Sequence, residues 1–149
     1  MSSMTATTAA LAVRNDTAFE PQHWQNRSVR TVAHWGRSGA VIAVEGEIDA
    51  ANAKPLAEYV QSSANRCEWL VLDLSPLEFI GTAGFSALQA INARCAQADI
   101  SWALLPGPAT TALLRVCDPE GRMPVAESLA AALARVQNPR PQLRAVPEQ

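Results

Sequence analysis

One short run constrains this chain more than any other: Trp69-Leu-Val-Leu-Asp-Leu74. Six residues that are almost all apolar do not make the stripe of an amphipathic helix. They read as a strand covered on both faces, as strands in parallel sheets are. The loop SPLEFIGTAG follows and leads into a helix over about Ala83–Gln97, with Leu88, Ile91 and Cys95 along one face. A strand buried on both faces needs neighbouring strands and helices above and below. The rest of the sequence supplies them.

Upstream, Ser28–Trp35 and Ala40–Glu45 read as two strands joined by a glycine-containing hairpin turn over Gly36–Gly39. Asn52 is placed to cap a helix that tolerates Pro55 in its first turn and carries Leu56 and Val60 on one face. Downstream, SWALL at 101–105 is a strand. Pro106-Gly107-Pro108 opens a helix bearing Leu113, Leu114 and Cys117. Residues 123–126 are a short strand candidate, and Ser128 caps a last helix with Leu129, Leu133 and Val136. The order is β-β-α-β-α-β-α-β-α. It predicts an α/β fold: a mixed five-stranded sheet, mostly parallel with one antiparallel strand, and about four helices packed on it. Function in such sheets gathers at the carboxyl ends of the strands, which points to the loops 46–52, 75–83 and 106–108.

Composition sets the outer limits. A chain of 149 residues holds one core. Residues 1–27 and 138–149 lack periodicity and read as tails, leaving a domain over 28–137. Charged residues make up 17% and the net charge is -2, with Lys and Arg scattered. That argues against a basic face for nucleic acid or anionic lipid. No apolar run reaches the ~18–20 residues of a membrane span, and the start has no basic region before its apolar stretch. Both point to a cytoplasmic protein. Cys67, Cys95 and Cys117 have no ligand spacing for a metal and read as small apolar residues in a reducing compartment. The sharper alternative, a redox switch, needs one exposed thiol of low pKa.

Several of these residues together resemble a known family. Val44-Glu-Gly-Glu-Ile-Asp49 with Ala51, Asn52 and Leu56 looks like its second strand and first helix start. Asp73-Leu-Ser75 followed by Phe79-Ile-Gly-Thr-Ala-Gly-Phe85 looks like its signature. That signature is a strand ending in Asp-Leu-Ser, then an aromatic, an aliphatic and Asp-Ser-Ser-Gly-Leu at a helix start. The chain is similar over about 28–137 to the STAS domains of bacterial anti-sigma factor antagonists. The resemblance implies a binding module with no catalytic residues, no metal and no cofactor. Its partner would be an anti-sigma factor of the Ser/Thr-kinase-like type, whose capture frees a sigma factor. A weak homodimer is left open. The resemblance places partner-binding on Asp49, Gly81, Thr82, Ala83, Gly84, Phe85 and Gly107.

The signature is not complete. The family's Asp falls on Gly81, its first Ser on Thr82 and its phosphoacceptor Ser on Ala83, while Phe85 replaces Leu. Ala83 has no hydroxyl to phosphorylate. Three readings follow: binding without phosphate control at this position, Thr82 as a substitute acceptor, or a divergent member with another partner or control. Each residue also has a structural reading. Thr82 can be an N-cap hydroxyl. Gly81 and Gly84 can serve a tight loop. Asp49 can cap the first helix, and Asp73 can bond nearby loop amides. Trp35, Trp69 and Trp102 read as strand residues; Phe85 suits either an interface or the core.

Other function classes fare worse. His23 and His34 have no nucleophile and acid at recognisable spacing. GTAG and GPAT lack the Lys-Ser/Thr of a phosphate loop. A STAS subunit of a membrane phospholipid-transport complex is the alternative that fits Ala83.

Overall fold

The computed structural model describes residues 20–138. The elements run β1 (Gln22–Asn26), β2 (Val29–Trp35), β3 (Gly39–Ile48), α1 (Ala53–Ala64), β4 (Trp69–Asp73), β5 (Leu77–Ile80), α2 (Thr82–Ala98), β6 (Ser101–Leu105), α3 (Gly107–Cys117) and α4 (Leu129–Gln137). They build one six-stranded sheet in the order β1-β2-β3-β4-β6, with β5 also paired to β3. The pairs β1/β2 and β2/β3 are antiparallel. The pairs β3/β4, β3/β5 and β4/β6 are parallel.

The apolar run at 69–74 behaves as its composition requires. All five residues of β4 are buried. Leu70 and Leu72 face one core with Ile42, Val44, Leu56, Val60, Leu88 and Ile91. Trp69 and Val71 face the other with Val41, Ala103, Leu133 and Val136. The first core therefore lies under α1 and α2, the second under α4. Each fully buried aliphatic side chain of this size contributes roughly 1.5–3 kcal/mol. Trp69 and Trp102 are buried and Trp35 is half-buried, so all three are strand residues of the fold.

Three expectations are corrected. The segment read as a tail contains β1, so the sheet begins at Gln22 rather than near residue 28. β1 is an edge strand with no fully buried residue. Trp24 anchors it, stacked on Tyr59 of α1 at 4.8 Å between ring centroids, and the Gln22 side chain accepts the Trp35 indole N–H at 3.0 Å. The loop SPLEFIGTAG contains a strand, β5, paired with the far end of β3. Residues 123–126 form no strand; Val125 makes one parallel bridge to Leu104 on the outer edge of β6. The sheet thus has six strands and two antiparallel pairings. The remaining tail residues, 1–19 and 139–149, lie outside the described residues.

Helix ends follow local chemistry. The Ser128 hydroxyl accepts the Ala131 amide at 3.0 Å, as expected of an N-cap, a bond worth about 1 kcal/mol. α2 stops at Asp99, in the left-handed region at φ 59°. Asn52 stands at the N-cap of α1 but makes no cap bond with its side chain. Backbone carbonyls serve instead: Asp49 accepts the Ala53 amide and Asn52 the Leu56 amide, each at 3.0 Å.

Candidate functional site

Three connections converge at the carboxyl ends of the parallel strands. β3 runs into 46–52, β4 and β5 into the segment that starts α2, and β6 into α3. Backbone contacts tie them together. The Gly81 amide donates to the Ile48 carbonyl at 3.0 Å, and the Leu74 amide to the Leu105 carbonyl at 2.8 Å. Gly107 sits at φ 70°, and a Cβ there would stand 2.5 Å from the Ser75 Cα. Only glycine lets α3 begin this close to the loop after β4.

Asp49 shapes the first connection. Its Oδ1 accepts the amides of Ala51 at 2.9 Å and Asn52 at 3.2 Å. The Asn52 side chain accepts the Asp49 amide and donates to the Glu47 carbonyl, each at 2.9 Å. The two residues lock the turn that leads into α1. Asp73 plays a matching part after β4. Almost wholly buried, it accepts both the Ser75 amide at 3.0 Å and the Ser75 hydroxyl at 2.6 Å through one oxygen.

The segment 79–85 carries the signature. Gly81, at φ -90°, is the N-cap of α2, and Thr82 is its first helical residue. The expected Thr82 cap bond is absent; the residue is exposed at the helix start. Ala83 is half-buried beside it. Gly81 has an ordinary backbone, and a Cβ there would only touch the Phe79 ring at 3.5 Å. Gly84 is needed for packing: a Cβ there would lie 2.4 Å from the Ile80 side chain. Phe85 is half-buried and packs on the core. Phe79, quoted in the sequence only as the aromatic of the signature, is 50% exposed. Glu78 and Phe79 stand exposed between buried Leu77 and Ile80 because the pairing with β3 skips Glu78 and breaks the strand's alternation.

Between α1 and α2 runs a groove of about 520 Å³. Ala50, Ala53, Ala57, Ala83, Ala87 and Ala90 line it, and Lys54, Glu58, Gln61 and Ser86 supply its polar groups. It opens at Ala83, so the loop surface and the groove form one continuous face.

The face holds no constellation for covalent chemistry. His23 and His34 lie on β1 and β2, opposite Val32 and Val41. Among the described residues no three His, Cys, Asp or Glu side chains gather to hold a metal, and no helix is long and apolar enough to cross a membrane. Burial pushes the Cys67 thiol up to about 12 and the Cys95 thiol up to about 11. Thiolate, the reactive form, is scarce at both near neutral pH. We expect both cysteines of the folded protein to resist iodoacetamide at pH 7.5 and to react once it is unfolded in urea. Fast modification of either in the native state, read by peptide mass spectrometry, would make that cysteine a candidate redox switch; Cys117, free and half-buried, is the third thiol.

Comparison with known proteins completes the picture. The family model of the STAS domain matches residues 31–132. Osmosensory protein A of Mycobacterium tuberculosis is 37% identical over 97 residues, which are 62% of this chain and 61% of that protein. The chain thus spans about three fifths of the length of that curated relative. An anti-sigma factor antagonist from Mycobacterium paratuberculosis superposes with a TM-score of 0.66 at 26% identity, covering 74% of this chain and 96% of the other. The unphosphorylated anti-sigma factor antagonist SpoIIAA shares the fold at a TM-score of 0.56 and 15% identity, over 79% of this chain and 96% of its own. From its strand order, its loop signature and the match over 31–132, the chain belongs to the STAS domain family.

Proposed function

We propose that this protein is an anti-sigma factor antagonist of the cytoplasm. It binds a kinase-like anti-sigma factor, frees a sigma factor, and is not released by phosphorylation at the usual position. It acts by binding and not by catalysis. The observation that carries this reading is Ala83, a methyl group at the second residue of α2, where the signature it resembles has its phosphoacceptor hydroxyl. The likeness to the Mycobacterium paratuberculosis antagonist, over nearly all of that chain, supports the choice of partner class.

The physics of the missing switch is simple. A phosphate carries about -1.5 to -2 charges. Placed in a docked face it adds bulk and a charge that must be desolvated, so the complex separates. Ala83 can accept no phosphate. Thr82 offers an exposed hydroxyl one position earlier, rotated by about 100° around the helix, so an active site aimed at Ala83 meets it from the side.

The test is a release assay. Purified complexes of kinase-like anti-sigma factors with their sigma factors are mixed with this protein and resolved by size exclusion, with and without ATP. Free sigma factor is expected from at least one complex, equally in both conditions. Release from none would sink the reading. A membrane transporter ATPase that binds this protein in the same format would put the transport-subunit reading in its place.

A further inference from the structure

We propose that the α1–α2 groove is the seat of a helix from the anti-sigma factor, one with a small apolar face and basic residues directed at the loop end. The inference rests on the antagonist reading and adds the partner's chemistry to it. The groove is walled by two parallel-sheet helices and floored by alanine methyl groups. Closely approaching, small-residue walls admit the apolar stripe of a helix, and a helix laid in a groove is a standard mode of peptide recognition.

Charge decides the character of that helix. Segments 46–52 and 75–83 close one end of the groove, and they contain Glu47, Asp49 and Glu78 but no Lys or Arg. Glu47 and Glu78 are exposed and Asp49 is partly so. On the groove wall Glu58 stands one turn from Lys54, so those two offset each other. Arg27, in the β1–β2 turn beside Ser28, is the basic group that borders Glu47. The two segments themselves are of one sign. A surface of one sign speeds the approach of the opposite sign and repels its own. Half-exposed Phe79 stands beside Gly81, two residues before the groove-lining Ala83, and gives the same face an aromatic anchor.

Ala90 separates this proposal from one confined to the loops. It is exposed, lines the groove, and lies seven residues or about 10 Å along α2 from Ala83. Ala90→Trp fills the groove without touching the 79–85 segment. Ser86→Trp is the second variant should the first fail to fold, as judged by circular dichroism. Binding is measured by biolayer interferometry against the anti-sigma factor that passes the release assay. Either variant is expected to weaken binding at least about tenfold. The pair Glu47→Lys and Glu78→Lys is expected to slow association about tenfold at low salt. Added NaCl is expected to slow the wild type in the same direction. If Ala83→Glu abolishes binding while the groove and charge variants bind as wild type, the partner uses the loops alone. The helix proposal then fails and the antagonist reading stands. If no anti-sigma factor binds the wild type, both fall.

Discussion

Replacing Gly46 by Ala is expected to lower the free energy of unfolding by about 3 kcal/mol or more. Gly46 sits at φ 95°, where a side chain is strained, and a Cβ there would stand 2.1 Å from the Ser28 carbonyl oxygen. That oxygen cannot step aside, because it accepts the Glu47 amide at 3.0 Å. The register with β5 shifts at this point: Gly46 pairs with Leu77 and Glu47 with Phe79, so Glu78 of β5 is the extra residue. Damage here would spread to the base of the functional face. A fall in Tm of roughly 10 °C or more, with a matching drop in the urea midpoint, is the expected reading. Gly81→Ala is the control. With an ordinary φ and its nearest neighbour at 3.5 Å, it should change stability by no more than about 0.5 kcal/mol. Equal effects at the two glycines would show that Gly46 is not the constraint described.

Ala83→Glu is expected to weaken binding to the anti-sigma factor about a hundredfold, or about 2.7 kcal/mol, while leaving the Tm unchanged. A carboxylate in the first turn of α2 suits the helix dipole, so the free domain tolerates it. In the complex the same carboxylate would be buried without a partner, which costs several kcal/mol. Isothermal titration with wild type and variant side by side separates binding from folding. Unchanged affinity with an intact fold would remove the 81–85 surface from the interface.

What the sequence discloses tracks how burial shapes composition. β4 and most of β3 stand out because both of their faces are covered, and continuous apolar runs result. β1 is hidden because an edge strand needs no such run. In QHWQN only Trp24 is apolar, and its stack on Tyr59 is a long-range contact. β5 is hidden because four residues after a proline look like a loop, and its pairing depends on the backbone conformation of Gly46. The site shows the same division. Strand order points to the three loops, and Gly107 enters only through the family resemblance. That Phe79 is exposed while Phe85 packs on the core depends on the extra residue Glu78 in β5 and on where α2 starts, which the sequence does not show. Asp49 and Asn52 can both cap a helix and lie three residues apart. The bonds to Ala51 and Asn52 show that Asp49 holds the turn before the helix, while Asn52 takes the N-cap position without a side-chain cap bond.

The Kd of the complex with the kinase-like anti-sigma factor, measured before and after incubation with Mg-ATP and with phosphates counted by intact mass, tests whether Ala83 leaves this STAS domain without a phosphate switch. The wild type is expected to gain no phosphate and keep its Kd, while Ala83→Ser gains one phosphate and loses affinity. A wild-type protein phosphorylated at Thr82 and released from its partner would contradict the claim.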